Sequence, residues 1–341
     1  MTFLLVVCTG ASAQDDYSKR TAKSVDRALA FLQNMQEKDG SWRMAGVAGP
    51  GHPAITSLAI LAFLSAGHVP GEGPYGDTVE KGVRWVLSSQ NPEGMFARDY
   101  GSDLYNQGIC TLMLAEVVGM TDAKLAKEIR PKLVKAVHIL LKAQRLGPSI
   151  YRGGWRYMIT GDDADLSVTG WQLMALRAAR NVGCDVPGER IDLAVDFVLR
   201  CREAPTGAFC YQPGGRTTLA CTGTGLLALE LTGGLKHKSP EAVKAGSYVL
   251  RHPPTWGGEN CLYATYYCAQ GMFQLGQNYW DAFRPHLYKM LLDRQQENGS
   301  WMSNEGVFSP AYSTAMAVLA LTVEYRFLPI YQRHEEDGKK K

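Results

Sequence analysis

A pattern of apolar helix, glycine and aromatic residue, with a glutamine between helix and glycine in four copies, returns six times along this chain at intervals of roughly 50 residues, and a period of that size restricts the fold to stacked or ring-closed helical units. The first copy runs from Ala28-Leu29-Ala30-Phe31-Leu32 through Gln36 to Gly40-Ser41-Trp42, and the second from Val83-Arg84-Trp85-Val86-Leu87 through Gln90 to Gly94-Met95-Phe96. The third has Leu140, Leu141, Gln144 and Gly154-Trp155, and the fourth has Phe197, Val198, Leu199 and Gly207-Ala208-Phe209. A degenerate fifth copy has Tyr248-Val249-Leu250 with Trp256-Gly257, and the last has Leu291-Leu292, Gln295 and Gly299-Ser300-Trp301.

A second helical segment follows each copy, and these align without gaps: HPAITS from His52, DLYNQG from Asp103, DLSVTG from Asp165, TLACTG from Thr218, CLYATY from Cys261 and SPAYST from Ser309. The first position is mostly a residue able to accept from free backbone N–H groups, and the second is Pro or Leu in every copy. That order predicts a helix cap followed by the first helical residue, where proline forfeits no hydrogen bond. The fifth position is polar throughout: Thr56, Gln107, Thr169, Thr222, Thr265 and Ser313. Beyond it the segments turn apolar nearly all round, as in Leu58 to Phe63 and Ala315 to Leu321, which predicts buried inner helices. Each unit is therefore an amphipathic outer helix, a glycine turn anchored by an aromatic, and a buried inner helix. One pair cannot bury its own apolar face, so the pairs must stack. Neither terminal copy has a polar cap, and a closed ring removes the need for one.

The Gln…Gly-x-Trp pattern, in register with the second segment over about residues 24 to 328, resembles the repeat of squalene and oxidosqualene cyclases and of protein prenyltransferase β subunits. The ending from Tyr325 to Arg333 is similar to that of exported bacterial members. The resemblance implies an all-α fold, an (α/α)6 barrel, whose inner helices surround a central cavity. The ring is expected to occupy residues 20–333 as a single domain.

The related cyclases protonate their substrate with an Asp-x-Asp-Asp motif, and the matching place here reads Asp163-Ala164-Asp165-Leu166. Asp165 and Asp163 are the candidate catalytic residues by that resemblance. The last carboxylate is replaced by Leu166, which removes a group that shapes the acidity of the donor. Asp165 also shares its repeat position with Asp103, Thr218 and Ser309, and a cap role explains all of them. Those cyclases line their cavity from two helical domains, so one ring is expected to supply half the enclosure. Prenyltransferases hold zinc with an Asp-x-Cys pair and a later His; the nearest counterpart, Glu259-Asn260-Cys261, has Ser313 near the later place. The seven histidines show no close pair at ligand spacing, so neither a metal nor another cofactor is expected. Other helical toroids cleave polysaccharides with paired carboxylates or with a base and an Arg in the central cleft, for which Asp103, Asp163, Asp165, Glu259, Arg156 and Arg216 are mouth candidates. Tyr105, Trp171, Tyr263, Tyr266, Tyr267 and Tyr312 lie on or beside inner helices and, with Asp103, are the expected cavity residues. Such a lining suits an isoprenoid, a lipid or a sugar face.

Charge narrows the partners further. A net charge of +3 with both signs scattered gives no basic stripe for nucleic acid, and no stretch reaches the ~20 apolar residues of a membrane span. The apolar run from Thr2 to Cys8, then Ala11-Ser12-Ala13, reads as a signal peptide over residues 1–13. Export to the periplasm or cell envelope is expected, with a cytoplasmic location the alternative if Met1 is a misassigned start. Residues 334–341 read as a charged, solvated tail. Cys110, Cys221 and Cys268 sit in apolar helical segments as small buried hydrophobes, while Cys201 and Cys210 leave a local bridge open. The whole describes a toroid that binds an isoprenoid or lipid ligand, or a protein partner, without the intact catalytic motifs of its relatives. The alternatives are a terpenoid cyclase or prenyltransferase-like enzyme and a carbohydrate-active enzyme.

Overall fold

The structure is a computed structural model that describes residues 8–44, 51–96, 103–232, 236–302 and 309–332. Outer and inner helices alternate along the chain. The outer set is α1 (Cys8–Asn34), α3 (Gly76–Ser89), α5 (Ala123–Ala143), α7 (Gly188–Arg200), α9 (Pro240–Arg251) and α11 (Gln277–Leu292). The inner set is α2 (Pro53–Ser65), α4 (Asp103–Met120), α6 (Leu166–Asn181), α8 (Leu219–Thr232), α10 (Cys261–Leu275) and α12 (Pro310–Leu321). Outer helices bury one stripe: in α5, Leu125, Ile129, Leu133, Ala136 and Leu140 point inward at three- and four-residue spacing. Inner helices are buried over most of their length, and in α2 every residue from Pro53 to Ser65 is buried. Each inner helix packs against the next, and α12 packs back against α2, so the ring closes.

The repeated motif holds neighbouring units together. The Gln36 side-chain amide donates to Gly40 O in its own turn at 2.9 Å and to Thr78 O on the next outer helix at 2.8 Å. Gln90 does the same with Gly94 O and Lys132 O, and Gln144 with Gly153 O and Arg190 O. Gln295 donates to Gly299 O and to Ser24 O on α1, at 2.9 and 2.8 Å, so the same bond that joins successive units also joins the last to the first. The tryptophans anchor each turn to its own outer helix: the indole N–H groups of Trp42, Trp155 and Trp301 donate to Leu32 O, Leu140 O and Leu291 O, each at 2.8 Å.

The polar residue of the second segment closes the turn from the other side. Hydroxyls of Thr56, Thr169 and Thr222, and the Gln107 side-chain oxygen, accept from the backbone N–H of Trp42, Trp155, Phe209 and Phe96 at 3.0 Å. In the sixth copy the acceptor is Thr314, bonded to Trp301 N at 3.3 Å, and not the aligned Ser313. Caps follow the expectation at His52, Asp165 and Ser309, whose side chains accept from the third residue on. In the fifth copy the cap position falls instead to Asn260, in the left-handed region with φ 47°, because Cys261 is already the first helical residue.

The end of the ring where the inner helices finish is closed by the chain's own C-terminal segment. A 3-10 turn over Pro329–Tyr331 enters there, with Ile330 N donating to Glu116 Oε2 at 3.1 Å and the Gln274 amide donating to Tyr331 O at 3.1 Å. The Tyr331 hydroxyl lies 2.6 Å from that of Tyr266. A two-residue hairpin, β1 (Phe209–Cys210) with β2 (Thr217–Thr218), stands at the opposite end. Cys201 and Cys210 are not bridged; Cys210 N donates to Cys201 O at 2.7 Å and both thiols are free and buried. Of the segment read as a signal peptide, residues 1–7 lie outside the described residues and the remainder falls within α1. The 334–341 tail also lies outside the described residues. No helix among the described residues is long and apolar enough to cross a membrane.

Candidate functional site

A cavity of about 890 Å³ opens at the end of the ring where the inner helices begin. That size lies within the range of small-molecule sites, roughly 300 to 1,000 Å³. Every inner helix contributes its first turn. The third position of the aligned second segments lines the cavity as Ala54, Tyr105, Ser167, Ala220 and Tyr263, and in the sixth copy Tyr312 does so one residue further on. That offset is the same one that put Thr314 in place of Ser313. A second periodic set comes from the turns: Met44, Tyr157 and Tyr211, each two residues past its repeat aromatic, also line the cavity.

The lining mixes two chemistries: Ile55, Leu58 and Ile109 are aliphatic, while Tyr105, Ser167 and Tyr263 carry hydroxyls. The Tyr105 hydroxyl lies 2.5 Å from Ser167 Oγ, which lies 2.8 Å from the Tyr263 hydroxyl. Burial raises the pKa of both tyrosines above the ordinary phenol value, so these groups stay protonated and neutral at any physiological pH. At the mouth, Arg216 pairs with Glu259.

Asp165 sits behind this lining. Its side chain has 0% exposure, Oδ1 accepts from Val168 N at 2.8 Å and Oδ2 accepts from Arg156 Nη1 at 2.8 Å. Arg156 Nη1 also donates to the Tyr211 hydroxyl at 2.7 Å, and the guanidinium lies 4.4 Å over the Tyr157 ring. The Tyr157 and Tyr211 hydroxyls contact each other. Burial raises the Asp165 carboxyl above its ordinary value, opposed by the Val168 amide, Arg156 and Tyr211. Asp163 is half exposed and pairs with Arg156 Nε at 3.1 Å.

The structure thus brings Tyr105, Trp171, Tyr263 and Tyr312 together around the cavity and places three other expected residues elsewhere. Asp103 begins α4 without lining the cavity. Tyr266 lies deeper, stacked on Trp171 with centroids 5.7 Å apart and its hydroxyl turned to Tyr331. Tyr267 packs edge-on against Trp171 at 5.6 Å. Tyr267 lies four residues after Tyr263 on the same helix face, one turn deeper. Sequence reasoning missed Ser167, Tyr157 and Tyr211, although their repeat offsets were readable.

The family model for the prenyltransferase alpha-alpha toroid domain matches residues 1–252 and 152–319. Drimenyl diphosphate synthase of Streptomyces showdoensis is 28% identical over 90 residues, 26% of this chain and 16% of that protein, so the matched stretch is a small part of that relative. Among solved structures, the GH76A alpha-1,6-mannanase of Salegentibacter sp. HEL1_6 superposes with a TM-score of 0.66 at 11% identity, covering 89% of this chain and 99% of that one. The type II terpene cyclase MstE from Scytonema superposes with a TM-score of 0.60 at 17% identity, covering 91% of this chain and 100% of that one. Such identities speak for the fold alone. The superposition nevertheless runs the full length of that cyclase.

Proposed function

The chain belongs to the prenyltransferase alpha-alpha toroid domain family, and from that membership we propose that it binds an apolar ligand of isoprenoid or lipid type in its central cavity without transforming it. One observation carries the reading: both oxygens of Asp165 are engaged by N–H donors, Val168 on one side and Arg156 on the other. An acid that protonates an alkene must carry its proton on an oxygen facing the substrate. Asp165 is fully buried and is not among the residues that line the cavity, and protonating it would leave Arg156 facing a neutral group. The arrangement instead fixes the start of α6 and the 156–165 loop. Export through the apolar Thr2 to Cys8 segment is part of the same reading, and would place the ligand in the cell envelope.

A cyclase that uses Asp165 is the second reading, favoured by the burial that raises this carboxyl and by a terpene cyclase among the structural neighbours. Asp165→Asn separates the two. Asn caps nearly as well as Asp, but the ion pair is lost while Arg156 retains Asp163. We expect a cost of about 1–3 kcal/mol in urea denaturation, with ligand binding retained. Incubation of the wild-type protein with squalene or farnesol should return the molecule unchanged. Conversion by the wild type that stops in a folded Asp165→Asn variant would establish the cyclase reading in place of ours.

A further inference from the structure

We infer that the cavity is built for an uncharged, chiefly apolar molecule carrying one hydroxyl group, which docks against the linked hydroxyls of Tyr105, Ser167 and Tyr263. The inference rests on the ligand-binding reading above and narrows it to a class of ligand. It begins with a count of protons. Three hydroxyls supply three donors, and the chain from Tyr105 through Ser167 to Tyr263 uses two of them in its two O···O contacts. The third has two places to go. If the chain runs from Tyr105 towards Tyr263, the Tyr263 proton reaches Ser167 O at 3.3 Å or the neighbouring Tyr267 hydroxyl, and Tyr105 offers only lone pairs. If it runs the other way, the Tyr105 proton is left for another acceptor. Hydroxyl protons rotate to suit their partners, so the wall presents either a donor or an acceptor at its Tyr105 end. A ligand hydroxyl, which both donates and accepts, completes the chain in either direction.

The charges on the page point away from an ionic ligand. Among the described lining residues the formally charged side chains are Arg216 and Glu259, and these neutralise each other at the mouth. Arg156, one layer behind the tyrosines, is already matched by Asp163 and Asp165. A diphosphate buried here would face no uncommitted cation among these groups, and burying an unpaired charge is far more costly than burying a hydroxyl with a partner. Beside the hydroxyls, Ile55 and Leu58 on α2 and Ile109, one turn along α4 from Tyr105, offer only aliphatic contact, which suits the hydrocarbon body.

Three probes that share one carbon skeleton test this: farnesol, farnesyl diphosphate and farnesene, titrated into the full chain with tryptophan fluorescence as the readout. Farnesol is expected to bind at least tenfold more tightly than either of the others. Ser167→Ala cuts the chain in the middle and should bring farnesol down to the level of farnesene, with an unchanged urea-denaturation midpoint reporting that the ring still folds. Tyr263→Phe should have the same effect from one end. Tightest binding by farnesyl diphosphate, or a farnesol preference that survives both substitutions, would overturn the inference and leave the ligand-binding reading standing. Failure of all three probes to bind would overturn that reading itself.

Discussion

Replacing Gly153 with alanine is expected to destabilise the protein by more than about 4 kcal/mol, a loss large enough to prevent accumulation of folded protein. Two penalties combine at this residue. Its φ of +90° lies where a Cβ is disfavoured. In addition, a Cβ built there would lie 1.9 Å from Leu193 O, a backbone atom of the next outer helix that cannot move without displacing α7. The same close approach recurs at Gly40, Gly94, Gly207 and Gly299 against the following outer helix, which is why the motif carries glycine and not another turn residue. Gly183 supplies the comparison, with φ +86° and nothing within 4 Å of the added atom. Gly183→Ala should cost only the conformational part, about 1–2 kcal/mol. Urea denaturation of both variants separates turn strain from contact between units. Equal losses would mean that the motif fixes only the turn.

The second large effect concerns pH. Glu116 is 1% exposed in α4, and burial raises its pKa from 4.5 to about 8, opposed by the N–H of Ile330. The folded state therefore keeps the proton over a range in which the unfolded chain has released it. The contribution to stability is full below about pH 4.5 and is lost as pH rises through 8. By pH 7 the accumulated loss is on the order of 3 kcal/mol. Glu116→Gln keeps an oxygen for Ile330 N and removes the titration, so it should match the wild type near pH 4.5 and exceed it by on the order of 3 kcal/mol at pH 7. Denaturation curves for both proteins at pH 5, 7 and 8 check this, and parallel pH profiles would contradict it. Because Ile330 belongs to the segment that closes one end of the ring, protection factors against hydrogen exchange at the amides of residues 330–332, taken relative to intrinsic rates at each pH, should also fall above pH 8 in the wild type alone.

The ring was legible because its determinants are local and repeated. Gln36, Gly40 and Trp42 each make a bond that the repeat spacing dictates, and six registers in one chain exclude accident. Asp165 as a helix cap was legible for the same reason. Its pairing with Arg156 was not, because two residues nine apart on an irregular loop have no periodicity to bring them together. The cavity was half legible. Inner-helix aromatics could be named, but periodicity does not say how far down the ring a given turn lies, so Tyr266 and Tyr267 were grouped with Tyr263. Ser167 was passed over because it is small, although it holds the same repeat position as Tyr105 and Tyr263. The C-terminal plug was out of reach, since Glu116 and Ile330 meet only after the whole ring has closed.

The most direct test of the account is to purify the protein without detergent from its own host, record its native mass, and identify any molecule released on mild denaturation. The account predicts one bound molecule per chain, uncharged and chiefly apolar with a single hydroxyl, recovered unaltered after incubation with fresh protein. An empty cavity with a stably attached protein partner, or a released molecule that the protein converts to a product, would contradict it.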